Sequence, residues 1–132
     1  MEVIITEWAL NSYLELLAQN AFSATEYRQR IRPDVEGLKS YPTDPKFRSA
    51  KFWSPAHDSA GNAIPSGYKM KWHQLGNGHV QLRLPVGMLS NAFLCEAYVK
   101  RDAKQEKRQL ARFKTHLQLI RMRRYSLRGK LP

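Results

Sequence analysis

Lys69, Lys71 and His73 fall on one face of the stretch GYKMKWHQLGNGHVQLRLP, residues 67–85, when that stretch is extended. Tyr68, Met70 and Trp72 fall on the other. After a Gly76-Asn77-Gly78 turn, Val80, Leu82 and Leu84 share a face, and His79, Gln81 and Arg83 share the opposite one. A three-residue turn sets Leu75 opposite His79, His73 opposite Gln81 and Lys71 opposite Arg83. Like charges opposed on a sheet are destabilising, by up to ~1 kcal/mol. The hairpin offers no acidic side chain to relieve them, whereas a bound phosphate would. Side chains of these types can fix a phosphodiester, stabilise charge in a transition state and move a proton. The plain alternative is the solvated face of an antiparallel sheet, which is polar without any function.

The elements that must position these residues follow from patterning. EVIIT, residues 2–6, reads as a strand, and Thr6 can cap a helix with Leu10, Tyr13, Leu14 and Leu17 as its apolar stripe. Ser23 and Glu26 form a capping box, with Phe22 stapled onto Tyr27, and Pro33 kinks or restarts the second helix before Leu38. Residues 42–66 contain four of the seven prolines and are too long for an idle connector, so a short strand is expected near Phe52 and Trp53. NAFLCEAYVKR, residues 91–101, reads as the last strand, with Phe93, Cys95, Ala97 and Val99 on one face and Glu96, Tyr98 and Lys100 on the other. A final helix is expected from about Ala103 to Arg123, burying Leu110, Phe113, Leu117 and Ile120, with His116 beside that stripe. The order β-α-α, strands, α predicts an α+β fold of one domain, 1–132. Its mostly antiparallel sheet of four to five strands would carry helices on one face and leave the other free. Trp8, Trp53 and Trp72 are expected in the core, and Cys95 as a small core residue.

Charge narrows the partner. The chain has 22 Lys and Arg against 11 Asp and Glu, a formal net charge of +11. Residues 100–132 hold 12 of those cations against Asp102 and Glu106, a net of +10. A solvated helical face explains many charge runs, but so concentrated an excess favours a polyanion or an acidic protein. Segment 121–132 is a candidate flexible tail. His57, His73, His79 and His116 show no metal-ligand spacing, and no phosphate-binding or dinucleotide fingerprint is present. One cysteine and an N-terminus without a long apolar run predict a cytoplasmic protein with no membrane segment.

At GYKMK and at AYVKRDAKQEKRQLARF the chain resembles the RelE/ParE superfamily of bacterial toxin–antitoxin toxins, in particular the RelE and HigB-like mRNA interferases. The first stretch is similar to the family's Tyr-Lys-x-Lys strand. The second is similar to its aromatic-x-Lys-Lys/Arg strand end followed by a helix with an inward alanine. The resemblance implies a RelE-like fold, with an N-terminal helical pair on one face and a C-terminal helix. It implies ribosome-dependent cleavage of mRNA, without metal or other cofactor, by attack of a ribose 2′-hydroxyl on the adjacent phosphate. It implies a cognate antitoxin, the ribosome and mRNA as partners, and a monomeric free toxin.

Carried over by motif, Lys69 and Lys71 would activate the hydroxyl and stabilise charge, Arg101 would clamp the phosphate, and Arg83 would supply the hairpin arginine. His79, His73 and Tyr98 are candidates for the acid/base or stacking role, because the family's tyrosine or histidine near the last helix is replaced here by Ala103-Lys104-Gln105-Glu106-Lys107. Lys100, Lys104, Lys107 and Arg108 are candidates for RNA or ribosome contacts. The alternatives are a ParE-like gyrase poison and a non-catalytic RNA-binding module.

Overall fold

The computed structural model describes residues 1–132 as an α+β fold with a mostly antiparallel sheet. Strand β1 is Val3–Thr6, followed without a linker by helix α1, Glu7–Ala18. Thr6 makes that abrupt change possible: its hydroxyl accepts from the Ala9 amide and donates to the Leu94 carbonyl, capping the helix and tying it to the sheet. The second helix is composite. It runs as α2, Ala24–Glu26, a π turn, Tyr27–Ile31, and α3, Arg32–Glu36. The Ser23–Glu26 capping box forms as expected, and Phe22 stacks on Tyr27 with centroids 6.5 Å apart. Pro33 lies in the first turn of α3, just after the π turn, so the helix restarts there.

The sheet has seven strands, more than the four to five expected. Strands β2 (Trp53–His57), β3 (Ala63–Leu75), β4 (Val80–Met88) and β5 (Ala92–Leu94) lie side by side, and β5 pairs in parallel with β1. Strand β6, Tyr98–Val99, pairs with β4, and the chain ends in β7, Leu127–Lys130, antiparallel to β1. The basic tail is therefore tied into the sheet rather than left free.

The stretch 91–101 is two strands and not one. Pro85 on β4 accepts from the Cys95 amide at 3.0 Å but has no N–H to return. The chain then leaves the ladder, and the Ala97 amide turns to the Ser12 hydroxyl at 2.9 Å. The facing pattern resets across this gap: Phe93 and Cys95 pack on one side of the sheet, Ala97 and Val99 on the other.

Helices cover both faces, where one had been expected to stay free. Val3, Met70, Trp72, Leu82, Leu84, Val86 and Leu94 face α1 and the composite helix in one core. Their neighbours Ile4, Phe93 and Cys95 face α4, Ala103–Arg121, whose Leu110, Phe113, Leu117 and Ile120 form the expected stripe. Trp53 and Trp72 are buried as anticipated, while Trp8 is only half-buried and Leu14 is exposed.

Helix α4 lies close to the sheet because Gly67 on β3 and Gly87 on β4 are direct cross-strand partners beneath it. A Cβ on Gly87 would stand 2.4 Å from Leu117 Cδ2, and one on Gly67 would stand 2.9 Å from Phe113 Cε2. Gly87→Ala is expected to destabilise the protein by about 1–3 kcal/mol through overpacking, measured as a lowered denaturation midpoint with an unchanged m-value.

Candidate functional site

The hairpin pairs Lys71 with Arg83 and Lys69 with Pro85, as the sequence register requires, but it slips at its tip. A bulge between Trp72 and Leu75, with Gln74 at φ 62°, brings Leu75 opposite Val80. The turn is therefore Gly76–His79, and His79 is exposed at its end, off the cationic face. Arg30 holds the bulge open, donating to the carbonyls of His73 at 2.9 Å and Gln74 at 3.1 Å.

Three strands and α4 build one cluster. Arg83 is 4% exposed and has no carboxylate in ion-pair range; its guanidinium donates to the Leu82 carbonyl at 3.2 Å and to Gln81 Oε1 at 3.1 Å. Tyr98 on β6 is the cross-strand partner of Arg83. From the first turn of α4, Glu106 presents its carboxylate: Oε2 accepts from the Tyr98 hydroxyl at 2.7 Å, and Oε1 lies 3.6 Å from Lys69 Nζ. Lys71 Nζ donates to the Ala50 carbonyl at 2.8 Å, leaving two of its three hydrogens for another acceptor. Lys100 sits at the rim, its amide bonded to the Gln81 carbonyl, close enough that its charge acts on Lys69, Lys71 and Glu106.

The charges show what the cluster favours. Burial pushes the Lys69 ammonium below the ordinary lysine range, Arg83 and Lys100 push the same way, and Glu106 only partly opposes them. Lys71 is lowered by burial and then by Lys69 and Arg83. Burial likewise lowers Arg83. Burial would raise the Glu106 carboxyl, but its hydrogen bond from Tyr98 and the charges of Lys69, Lys100 and Arg83 outweigh that and hold it below the usual carboxylate range. Tyr98 is driven far up by burial and by Glu106, so its phenol keeps its proton and acts as a donor. Four cations around one carboxylate, partly removed from water, make a site short of negative charge.

This has a consequence for stability. Lysines whose folded pKa lies below the unfolded value lose their proton first in the native state, so stability is gained as pH rises toward 10.5, the unfolded value. The stability of wild type relative to Lys69→Met is expected to increase across that alkaline window and to stay flat from there down to neutral pH, above the range in which Glu106 titrates. Differencing the two proteins cancels the opposite alkaline contributions of Cys95 and Tyr98, whose raised pKa values destabilise the fold as pH climbs. Urea unfolding at a series of pH values measures the difference.

The residues singled out in the sequence thus divide. Lys69, Lys71, Arg83 and Tyr98 come together. His73 shares their strand face, but its Nε2 is 2.9 Å from the Lys51 carbonyl, so with Lys71 it fastens the 49–52 loop. Arg101 goes elsewhere: exposed beyond β6, it lines a cleft between α1 and α4 that Tyr98 also borders. Lys104, Lys107 and Arg108 are exposed along α4.

Glu106, central to the cluster, was missed. Its signal was present in the sequence as the lone acid in the first turn of a basic helix, favoured there by the helix dipole. The Asp102 cap on the Gln105 amide starts that helix, and the Gln105 side chain ties it to the Val99 carbonyl and the Arg101 amide. No family model matches the chain, and searches of curated proteins and of solved structures give no significant match. No helix is long and apolar enough to cross a membrane.

Proposed function

We propose that this protein is a RelE/HigB-like toxin, an endoribonuclease that cuts mRNA on the ribosome and is neutralised by a cognate antitoxin in the cytoplasm. The observation that carries the reading is the gathering of Lys69, Lys71 and Arg83 around a single carboxylate, on the strands where the resemblance requires them. A scissile phosphate seated there meets the two free hydrogens of Lys71 and the guanidinium of Arg83. Ionised Glu106, oriented by Tyr98, takes the proton of the ribose 2′-hydroxyl. The 2′-oxygen then forms its bond to phosphorus as the bond to the 5′-oxygen breaks, leaving a 2′,3′-cyclic phosphate. Lys71 and Arg83 stabilise the added charge in the transition state, and Lys69, an ammonium made more acidic by its surroundings, returns a proton to the departing 5′-oxygen.

Primer extension on translated mRNA after induction tests this. Wild type is expected to give cuts phased with codons, and Lys71→Ala to lose them while still binding ribosomes. Growth arrest with intact transcripts would sink the proposal. The bond from Lys71 to the Ala50 carbonyl favours one rival, a non-catalytic RNA-binding module in which Lys71 fastens the 49–52 loop and holds a phosphate with its remaining hydrogens. In that case Lys71→Ala lowers affinity and the salt slope, and no transcript is cut in either protein.

A further inference from the structure

The sheet gap after Cys95 opens a second feature that the cluster does not use. Between α1 and α4 lies a cleft of about 410 Å³, within the range of small-ligand sites. It is unlike the cationic cluster in character. Asn11 and Gln109 contribute amides, and Arg112 on its wall is neutralised by Glu96 at 3.1 Å. Trp8 stacks one ring face on His116 at 4.0 Å and an interplanar angle of 11°, and it also lines the cleft. Gln109 Oε1 is buried without any donor, an acceptor left unsatisfied by the fold itself.

The cleft and the cluster share Tyr98, which lines the first and whose hydroxyl serves the second. Arg101, exposed, also lines the cleft.

Resting on the nuclease reading above, we infer that this cleft receives one unstacked nucleobase of the RNA beside the scissile phosphate, stacked against Trp8 and hydrogen-bonded by Gln109 and Asn11. The cleft's charged side chains, Glu15 and Glu96 against Arg101 and Arg112, balance, and a cleft without net charge suits a neutral, flat, hydrogen-bonding group better than a phosphate. An aromatic ring beside amides that both donate and accept is how unpaired bases are held. The terminal torsion of glutamine is broad, so the Gln109 amide can swing to offer its oxygen to a base amine or imino group and its nitrogen to a ring acceptor.

The test uses ribosomes programmed with mRNA carrying a 2′-deoxy residue at the cleavage position, so that binding is read without cutting, and a single abasic residue moved through the flanking positions. Wild-type affinity is expected to fall at least tenfold at one abasic position. Gln109→Leu is expected to bind the parent and that abasic mRNA equally, and exposed Asn11→Ala to narrow the difference with an unchanged melting temperature. If both variants lose the same factor as wild type, or if wild type is indifferent to every abasic position, the cleft does not hold a base. Cleavage of unmodified mRNA, followed in parallel, separates the two readings. Cutting without the abasic coupling overturns the cleft alone, coupling without cutting overturns the nuclease alone, and failure to bind programmed ribosomes overturns both.

Discussion

Arg83→Met is expected to lower mRNA cleavage by about 10²- to 10³-fold, the usual loss when a preorganised donor to developing charge is removed. The same substitution is expected to leave the fold unharmed or to stabilise it. Arg83 is buried between Lys71 on one neighbouring strand and Tyr98 on the other, and no carboxylate lies within ion-pair range of it. Its two hydrogen bonds go to a backbone carbonyl and to an exposed glutamine, so neither acceptor is stranded by its loss. Holding a charge out of water costs several kcal/mol, and with no ion pair to offset that cost an apolar side chain of similar length removes the penalty. Thermal melting read alongside single-turnover cleavage checks both halves. A variant that melts well below wild type, or that cuts at the wild-type rate, would show that Arg83 belongs to the architecture and not to the chemistry.

Glu106→Gln is expected to split affinity from turnover. Removing the one negative charge among Lys69, Lys100 and Arg83 should tighten RNA binding, since the anion then meets no competitor. Cleavage should nevertheless fall, by about 10²- to 10⁴-fold, because an amide cannot accept the hydroxyl proton. The pH dependence adds a sign. The folded carboxyl titrates below its ordinary value, so wild-type activity should persist as pH falls through the usual glutamate range and be lost only below it, and this acid limb should be missing from Glu106→Gln. Faster cutting by the variant would instead make Glu106 a plug occupying the phosphate site, and the base would have to be sought elsewhere.

The parts of the fold visible in the sequence were those decided by near neighbours along the chain. The Thr6 cap, the Ser23–Glu26 box and the stripe of α4 each depend on residues three or four apart, and each formed as read. The Lys71–Arg83 pairing was expected from a three-residue turn. The turn is one residue longer, but the bulge before Leu75 absorbs the difference and restores the pairing, and with it three of the four basic side chains named for the phosphate site. What was hidden depended on a distant partner. Nothing near Cys95 announces that Pro85, ten residues earlier, would withhold the N–H that a continuous last strand needs. Arg101 was misplaced for that reason, since its expected position assumed an unbroken strand. The side of the sheet taken by α4 was equally invisible, and so Glu106 counted only as one of two acids in a basic segment. His79 was displaced by the bulge at Gln74, which Arg30 stabilises from 44 residues away.

The paired glycines under α4 carry a consequence for inheritance of activity. They act as a saddle: the helix can sit low only while both positions stay bare, and the height at which it sits decides how far its first turn reaches over the lysines. A side chain grown there meets Phe113 or Leu117, about two to three turns along the helix from Glu106, so it acts on Glu106 only through the helix itself. A change from glycine at 67 or 87 is therefore expected to disturb the seat of Glu106 from beneath while Lys69, Lys71, Arg83 and Tyr98 are themselves unaltered.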